Sequence, residues 1–309
     1  MKECGNIVVI AGPTAVGKSS TAIELSKKIN AEIVSADSFQ CYKYMDIGTA
    51  KPTRAELEKV RHHMIDVYMP NESPGVFDYA SDAKAIIEKK LAEKNIILVG
   101  GSGLYIDSII FQNYNFEEAT VDAEYRKKLQ KIADECGGNV LFEMLEKCDP
   151  EYAKLTHRNN VKRVIRALEF FYSSGKRMSE NKPEKKFAYK NTSYFVLGMD
   201  RNILYDRINK RVDEMMENGL VDEVSALYNE FGESASNAFK AIGYAELKPY
   251  IKGETDLYSA AELIKQHSRN YAKRQYTWFR RNPEAIWINV EESDSAETIA
   301  KKILEKINV

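Results

Sequence analysis

Gly12-Pro13-Thr14-Ala15-Val16-Gly17-Lys18-Ser19 spells G-x-x-x-x-G-K-[ST], the pattern of a loop that holds phosphate groups. Its flanks are the ones the physics requires. Asn6 to Ala11 is a short β-branched run that reads as a strand, and a helical pattern runs from Gly17 to about Asn30. Between a strand and a helix, such a loop turns backbone N–H groups onto an anion, and the helix N-terminus adds positive potential. Lys18 then brings a point charge to the terminal phosphates, and the Ser19 hydroxyl suits a Mg²⁺ ligand. Chance gives the pattern in about one chain of this length in a hundred, and the flanks make chance rarer still.

Working outward, Glu32–Ala36 reads as a second strand ending in Asp37, Phe77–Lys94 as a helix, and Asn95–Val99 as a third strand followed by Gly100-Gly101-Ser102-Gly103. Thr192–Met199 and Ile286–Val290 read as later strands. Strands alternating with helices predict an α/β fold with a parallel sheet covered on both faces. Ligands of such sheets gather at the carboxyl ends of the strands. The phosphate loop, Asp37 and the Gly100–Gly103 turn therefore share one crevice. From about Tyr114 to Lys190 the strand signal vanishes, which predicts a helical insertion (114–190) between two parts of a sheet domain (1–113 and 191–309). Its best helix is Val161–Ser174, with Val161, Val164, Ile165, Leu168, Phe171 and Tyr172 on one side and Lys162, Arg163 and Arg166 on the other. The chain is mainly helical again from Asn202 and ends in an amphipathic Thr298–Ile307.

The 309 residues contain no apolar run approaching a membrane span. The run Ile7–Ala11 is too short for a secretory segment, so a cytoplasmic protein is expected. Cys4, Cys41, Cys136 and Cys148 form no C-x-x-C pair, which argues against a zinc module or a disulfide framework. The net charge of −1 hides a strong segregation. Residues 157–190 carry net +7 and residues 264–281 net +6, so the remainder carries −14. Two such patches point to a polyanionic partner.

Asp37 faces the crevice from the end of its strand. It has two readings: a proton acceptor or water-mediated Mg²⁺ ligand, or a cap on the following turn. NTP hydrolases usually end a neighbouring strand with an acidic residue that helps hold Mg²⁺. Here that strand ends in glycines and Ser102, which points away from NTP hydrolysis. In Ile264–Arg281, Lys265, Arg269, Lys273 and Arg280 lie near one helical stripe with Tyr271, Tyr276, Trp278 and Phe279 interleaved. That is a nucleic-acid surface if the aromatics are exposed, and a solvated basic helix if they are core. His62-His63 with Asp66 is discounted as a metal site, because adjacent His side chains diverge and no further ligand spacing follows.

GPTAVGKS at 12–19, SADSFQCYKYMDIGTAKP at 35–52, HHMIDV at 62–67, GGSGLY at 100–105, KRVIRALE at 162–169, AIGYAEL at 241–247 and YAKRQYTWFRR at 271–281 together resemble the tRNA dimethylallyltransferases, over about residues 6–283. The resemblance implies a P-loop kinase-like sheet, Mg²⁺, and transfer of a dimethylallyl group from dimethylallyl diphosphate to tRNA. The acceptor would be the exocyclic N6 amine of the adenosine just 3′ of the anticodon, in tRNAs reading U-initial codons. Residues Gly12 to Ser19 would then hold diphosphate. Asp37 would be the general base, and Ser102, standing where the family usually has Thr, would contact the reacting groups. Arg163 and Arg166 would assist catalysis from a basic helix. The same resemblance implies anticodon stem-loop contacts from Asp37, Ser38, Phe39, Gln40 and Ser102. Further contacts would come from Arg126, Lys162, Arg163, Val164, Ile165 and Arg166 in the insertion, and from Lys273, Arg274 and Arg280. Asn160-Val161-Lys162 stands where the family has Asp-Pro-Arg, and the zinc module of eukaryotic relatives is missing. A single subunit meeting one tRNA is expected. The rivals are a prenyltransferase acting on free adenine nucleotides and a P-loop NTPase or kinase that binds RNA.

Overall fold

The computed structural model describes residues 5–112, 123–181 and 186–307. Cys4 and the expected boundary at 113/114 lie outside the described residues. The chain packs as two compact units, one built from the segments up to Ile110 and from Phe187, the other spanning Phe111–Lys186.

The first unit is organised by a six-stranded parallel sheet: β1 (Ile7–Ala11), β2 (Ala31–Ser35), β3 (His62–His63), β4 (Asn95–Gly100), β5 (Thr192–Met199) and β6 (Ile286–Val290), in the order β3-β2-β4-β1-β5-β6. β1 is paired on both edges, Val9 lying opposite Leu98 of β4 and Tyr194 of β5. All five of its side chains are buried, which is why its sequence is continuously apolar rather than alternating. β1 is also where the chain changes sides: β2, β3 and β4 lie to one side and β5 and β6 to the other. On one face, Val8, Ile10, Ile33, Phe195 and Leu197 share a core with Ala22, Ile23 and Leu25 of helix Lys18–Ile29 and Ile299, Ala300 and Ile303 of helix Ala296–Leu304. That last helix begins two residues earlier than its sequence period predicts, because Ser295 caps it by accepting the Thr298 N–H at 3.1 Å.

Two elements differ from expectation. The helix predicted to reach Lys94 is Val76–Lys90. Beyond it the Leu91 carbonyl accepts from Gly5 N–H at 2.9 Å and Lys94 Nζ donates to Asn30 at 2.7 Å, so the chain turns down into β4. The two-residue β3 is unforeseen, since neither its length nor its polar sequence signals a strand. It is fixed by pairing with Ile33 and Val34 and by His63 Nε2 meeting Glu32 at 2.7 Å.

The second unit is helical over its described residues: Ala123–Cys136, Gly138–Cys148, Pro150–Lys154 and Val161–Ser174. Asn160 caps the last of these by accepting the Arg163 N–H at 3.3 Å. Val164, Ile165 and Leu168 enter the core with Leu129, Leu141, Leu145 and Met178, as the period predicts. The buried face is wider and rotated, however. Ala167, Glu169 and Phe170 are also buried, whereas Tyr172 is 59% exposed and stacks on Tyr125 with ring centroids 3.9 Å apart.

Candidate active site

The phosphate loop leaves β1 through Gly12, whose φ of 148° and tight neighbours exclude a side chain; a Cβ would sit 2.7 Å from the Leu197 carbonyl oxygen of β5. Ala15 (φ 63°) and Gly17 (φ 99°) are left-handed, and the helix begins at Lys18. Lys18 Nζ donates to the Pro13 carbonyl at 2.6 Å. Burial lowers its pKa to about 7, with the positive charge of Arg211 adding to the effect and Asp37 opposing it. Arg211, on helix Arg201–Glu217, donates to Thr14 Oγ1 at 3.2 Å, and burial depresses its pKa as well. Two half-buried cations crowding a loop whose own charge is small make a site complementary to a compact polyanion.

The loop opens on a cleft of about 1310 Å³ that Thr14, Lys18, Ser19, Asp37, Phe39 and Arg211 help to line. Of its two sequence readings, the structure shows Asp37 as the cap on the following turn. Oδ1 accepts the Phe39 N–H at 2.9 Å and the Gln40 N–H at 3.3 Å, fixing the turn after β2. Oδ2 takes no hydrogen bond among the described residues and remains open to a ligand. Across from it, Ser102 Oγ accepts the Ser38 N–H at 3.3 Å and donates to Ser38 Oγ at 3.3 Å. The Tyr271 hydroxyl meets the side chains of Ser102 and Gln275, and burial together with the Asp37 charge pushes its pKa up to about 12. It stays neutral at any working pH. Ser19 is exposed at the helix start. Among the described residues no three His, Cys, Asp or Glu side chains cluster as a metal site. The hard oxygens of Ser19 and Asp37 would suit Mg²⁺ only with phosphate oxygens and water completing its shell.

Gln40 does not offer its amide to a ligand. Its Oε1 accepts from Ser35 Oγ at 3.0 Å, and its Nε2 donates to the carbonyls of Thr49 and Ala50 at 3.1 Å each. It ties the loop at 46–51, one wall of the cleft, to the end of β2. From the other side Glu223 accepts three backbone N–H groups, from Asp46 (2.8 Å), Ile47 (2.8 Å) and Gly48 (3.0 Å), and the Tyr244 hydroxyl at 2.5 Å. The AIGYAEL stretch thus serves this wall, for the Tyr244 ring fills the space that a side chain on Gly48 would need.

The basic segment at 264–281 lies on one long helix, Leu257–Phe279, and its exposed-aromatic reading is corrected. Phe279 is fully buried, Trp278 Nε1 donates to Asp107 at 2.9 Å, and Tyr276 donates to the Met199 carbonyl at 3.1 Å and stacks on Trp287. The cations split likewise. Lys265 is held by Asp213 (2.7 Å) and Glu262 (3.0 Å), and Arg269 donates to Asn209 at 2.5 Å. Lys273, Arg274 and Arg280 stay exposed. In the second unit, Lys162 and Arg163 are exposed, Arg163 donating to the Tyr152 hydroxyl at 3.0 Å. Arg166 is half-buried 3.9 Å from Glu169, which Arg126 engages in a bidentate pair. Val164 and Ile165 are at 0% and 5% exposure, so packing takes the side chains that the resemblance assigned to RNA.

Three residues of the site escaped the sequence reading. Arg211 sits in a mixed-charge helix with no motif spacing to single it out. Glu223 sits in an acidic amphipathic helix, Leu220–Phe231, again with no motif spacing to mark it. Gln275 lies inside the quoted YAKRQYTWFRR but was overlooked among its cations and rings; its Oε1 accepts the Thr14 N–H at 2.9 Å and its Nε2 donates to the Gly101 carbonyl at 3.0 Å.

A family model described as IPP transferase matches residues 40–282. The chain is 44% identical over 301 residues to the tRNA dimethylallyltransferase of Acetivibrio thermocellus, covering 96% of each. It is 44% identical over 306 residues to that of Bacillus cereus, covering 98% of this chain and 96% of the relative. Among solved structures, the tRNA isopentenylpyrophosphate transferase of Bacillus halodurans superposes with a TM-score of 0.72 at 39% identity, covering 98% of this chain and 96% of that one. A eukaryotic dimethylallyltransferase acting on tRNA gives a TM-score of 0.83 at 28% identity, covering 97% and 77%.

Proposed function

Because the chain belongs to the IPP transferase family, we propose that it is a tRNA dimethylallyltransferase, moving a dimethylallyl group from dimethylallyl diphosphate to an adenosine of tRNA. The observation that carries the chemistry is a phosphate loop with two half-buried cations, sharing one cleft with a carboxylate that has one oxygen unbonded among the described residues. The loop amides, Lys18 and Arg211 take the diphosphate. As the allylic C–O bond breaks, negative charge accumulates on that leaving group, and a preorganised cation pair stabilises it where it grows. Asp37 Oδ2 accepts a proton from the exocyclic amine as the new C–N bond forms. The amine is a poor nucleophile because its lone pair is delocalised into the ring, so losing that proton helps. Ser102 presents its hydroxyl beside Asp37's turn. Ser19 Oγ would be the protein's oxygen donor to Mg²⁺, which would supply charge neutralisation of the diphosphate.

The acceptor is the adenosine 3′ of the anticodon in tRNAs reading U-initial codons, and it leaves its stack to reach a base set inside a cleft. Exposed Lys273, Arg274 and Arg280 on the first unit, and exposed Lys162 and Arg163 with half-buried Arg166 on the second, neutralise the RNA backbone. One subunit acts on one tRNA. Incubating the purified protein with labelled dimethylallyl diphosphate and unmodified tRNA should place the label on N6-dimethylallyladenosine in the nucleoside digest. Label on AMP and none on tRNA would favour the free-nucleotide reading, and ATP turnover without prenyl transfer would favour an NTPase.

A further inference from the structure

Gln275 is 4% exposed and joins two chain segments that are 87 residues apart, the phosphate loop at Thr14 and the glycine-rich turn at Gly101. We infer that Gln275 is a positioning residue for prenyl transfer, fixing the leaving-group cradle against the turn that bears Ser102. The inference rests on the functional reading above.

Its two bonds run in opposite senses. The Thr14 N–H demands an acceptor and the Gly101 carbonyl demands a donor, so the amide is locked in one orientation and no flipped form satisfies both. Only a side-chain amide presents an acceptor and a donor side by side in one plane at this reach. The fit is close: a Cβ on Gly101 would collide with the Gln275 amide nitrogen, and would lie 3.5 Å from the Gly12 carbonyl oxygen. The two loops therefore touch at Gly12 and Gly101, and Gln275 is the brace across that contact. Diphosphate binds to the loop, whereas the acceptor amine is addressed from the Asp37 and Ser102 side. The relative placement of the two decides whether amine and allylic carbon meet in line, and a misplacement of about 1 Å is worth about a hundredfold in rate. A brace of this kind affects kcat more than donor affinity.

Two variants test it. Gln275→Met keeps the bulk and removes both bonds. Gln275→Glu keeps the acceptor for Thr14 but sets a carboxylate against the Gly101 carbonyl. In the full-length protein, amide hydrogen exchange of the Thr14 segment should speed up about tenfold or more in the Met variant, without a matching rise in the helical second unit. With dimethylallyl diphosphate and tRNA both saturating, kcat should fall about tenfold to a hundredfold in both variants, while the donor KM in the Met variant stays within about threefold. Wild-type kcat with unchanged exchange in either folded variant overturns the inference. So does a loss confined to the donor KM. Should the Met variant not fold, the Glu variant carries the same two readouts. If the wild-type protein transfers no prenyl group at all, the functional reading fails instead, and the exchange measurement alone decides whether Gln275 braces the loop.

Discussion

Charging of Lys18 should make diphosphate binding a proton-uptake reaction. In the ligand-free loop, desolvation and the positive charge of Arg211 hold its ammonium near pKa 7. A bound diphosphate replaces that repulsion with attraction at bonding distance and raises the pKa well above the working range. The bound state therefore holds the proton and the free state shares it, so protons enter on binding and affinity weakens as pH rises. With a free-state pKa of about 7, Lys18 is about half charged at pH 7 and about one-tenth charged at pH 8. Uptake from this residue should be about 0.5 proton at pH 7 and about 0.9 at pH 8, and apparent affinity should fall about tenfold between pH 6 and pH 8. Titration calorimetry with inorganic diphosphate, in two buffers of different ionisation enthalpy and without divalent ions, measures the uptake directly. The ligand's own ionisation is removed by comparison with Lys18→Arg, whose guanidinium does not titrate there. Arg211→Ala should also reduce the uptake, by removing the repulsive neighbour. Equal uptake by wild type and Lys18→Arg at pH 8 would mean that the lysine enters the empty loop already charged, and the reasoning would be refuted.

Asp37→Asn keeps the Oδ1 acceptor for Phe39 and Gln40, so the turn should survive with a melting temperature close to wild type, while kcat falls about a hundredfold or more through loss of the base; normal turnover would remove Asp37 from that role. Lys273→Ala and Arg280→Ala should each weaken tRNA binding across all sequences and shift the slope of log affinity against log salt by about one, which filter binding at several salt concentrations can measure. Glu223→Ala strands three backbone N–H groups and the Tyr244 hydroxyl, so urea denaturation should report a loss of about 3 kcal/mol; a change under 0.5 kcal/mol would show that water replaces the carboxylate.

The elements legible in the sequence were those written in a local code. β1 and β4 are built on continuous apolar runs, β5 carries the apolar stretch Tyr194–Leu197, and the phosphate loop is spelled by its glycines and Lys18. What stayed hidden depends on chain meeting chain. β3 is two histidines given strand form only by pairing with β2. Arg211 becomes a phosphate-site cation because its helix passes Thr14, and nothing in its neighbourhood marks it. In helix Leu257–Phe279 the residue types were read correctly and their environment was not. Tyr276, Trp278 and Phe279 have their ring faces and polar atoms taken by the protein, since a helix packed along one side buries its aromatics wherever the stripe requires. Asp37 allowed two readings because a carboxylate has two oxygens, and the fold commits only Oδ1, to the cap.

The placement of β1 between β4 and β5 has a consequence for how the molecule is made on the ribosome. β4 belongs to the first third of the polypeptide, whereas β5 emerges only after the entire second unit has been synthesised. Until then the nascent central strand has one bare edge, and Gly12 lacks the Leu197 backbone against which it rests. Arg211 and Gln275 emerge later still. The anion cradle is thus finished by the last third of translation, and a truncated chain would keep the signature loop intact yet lack what makes it bind.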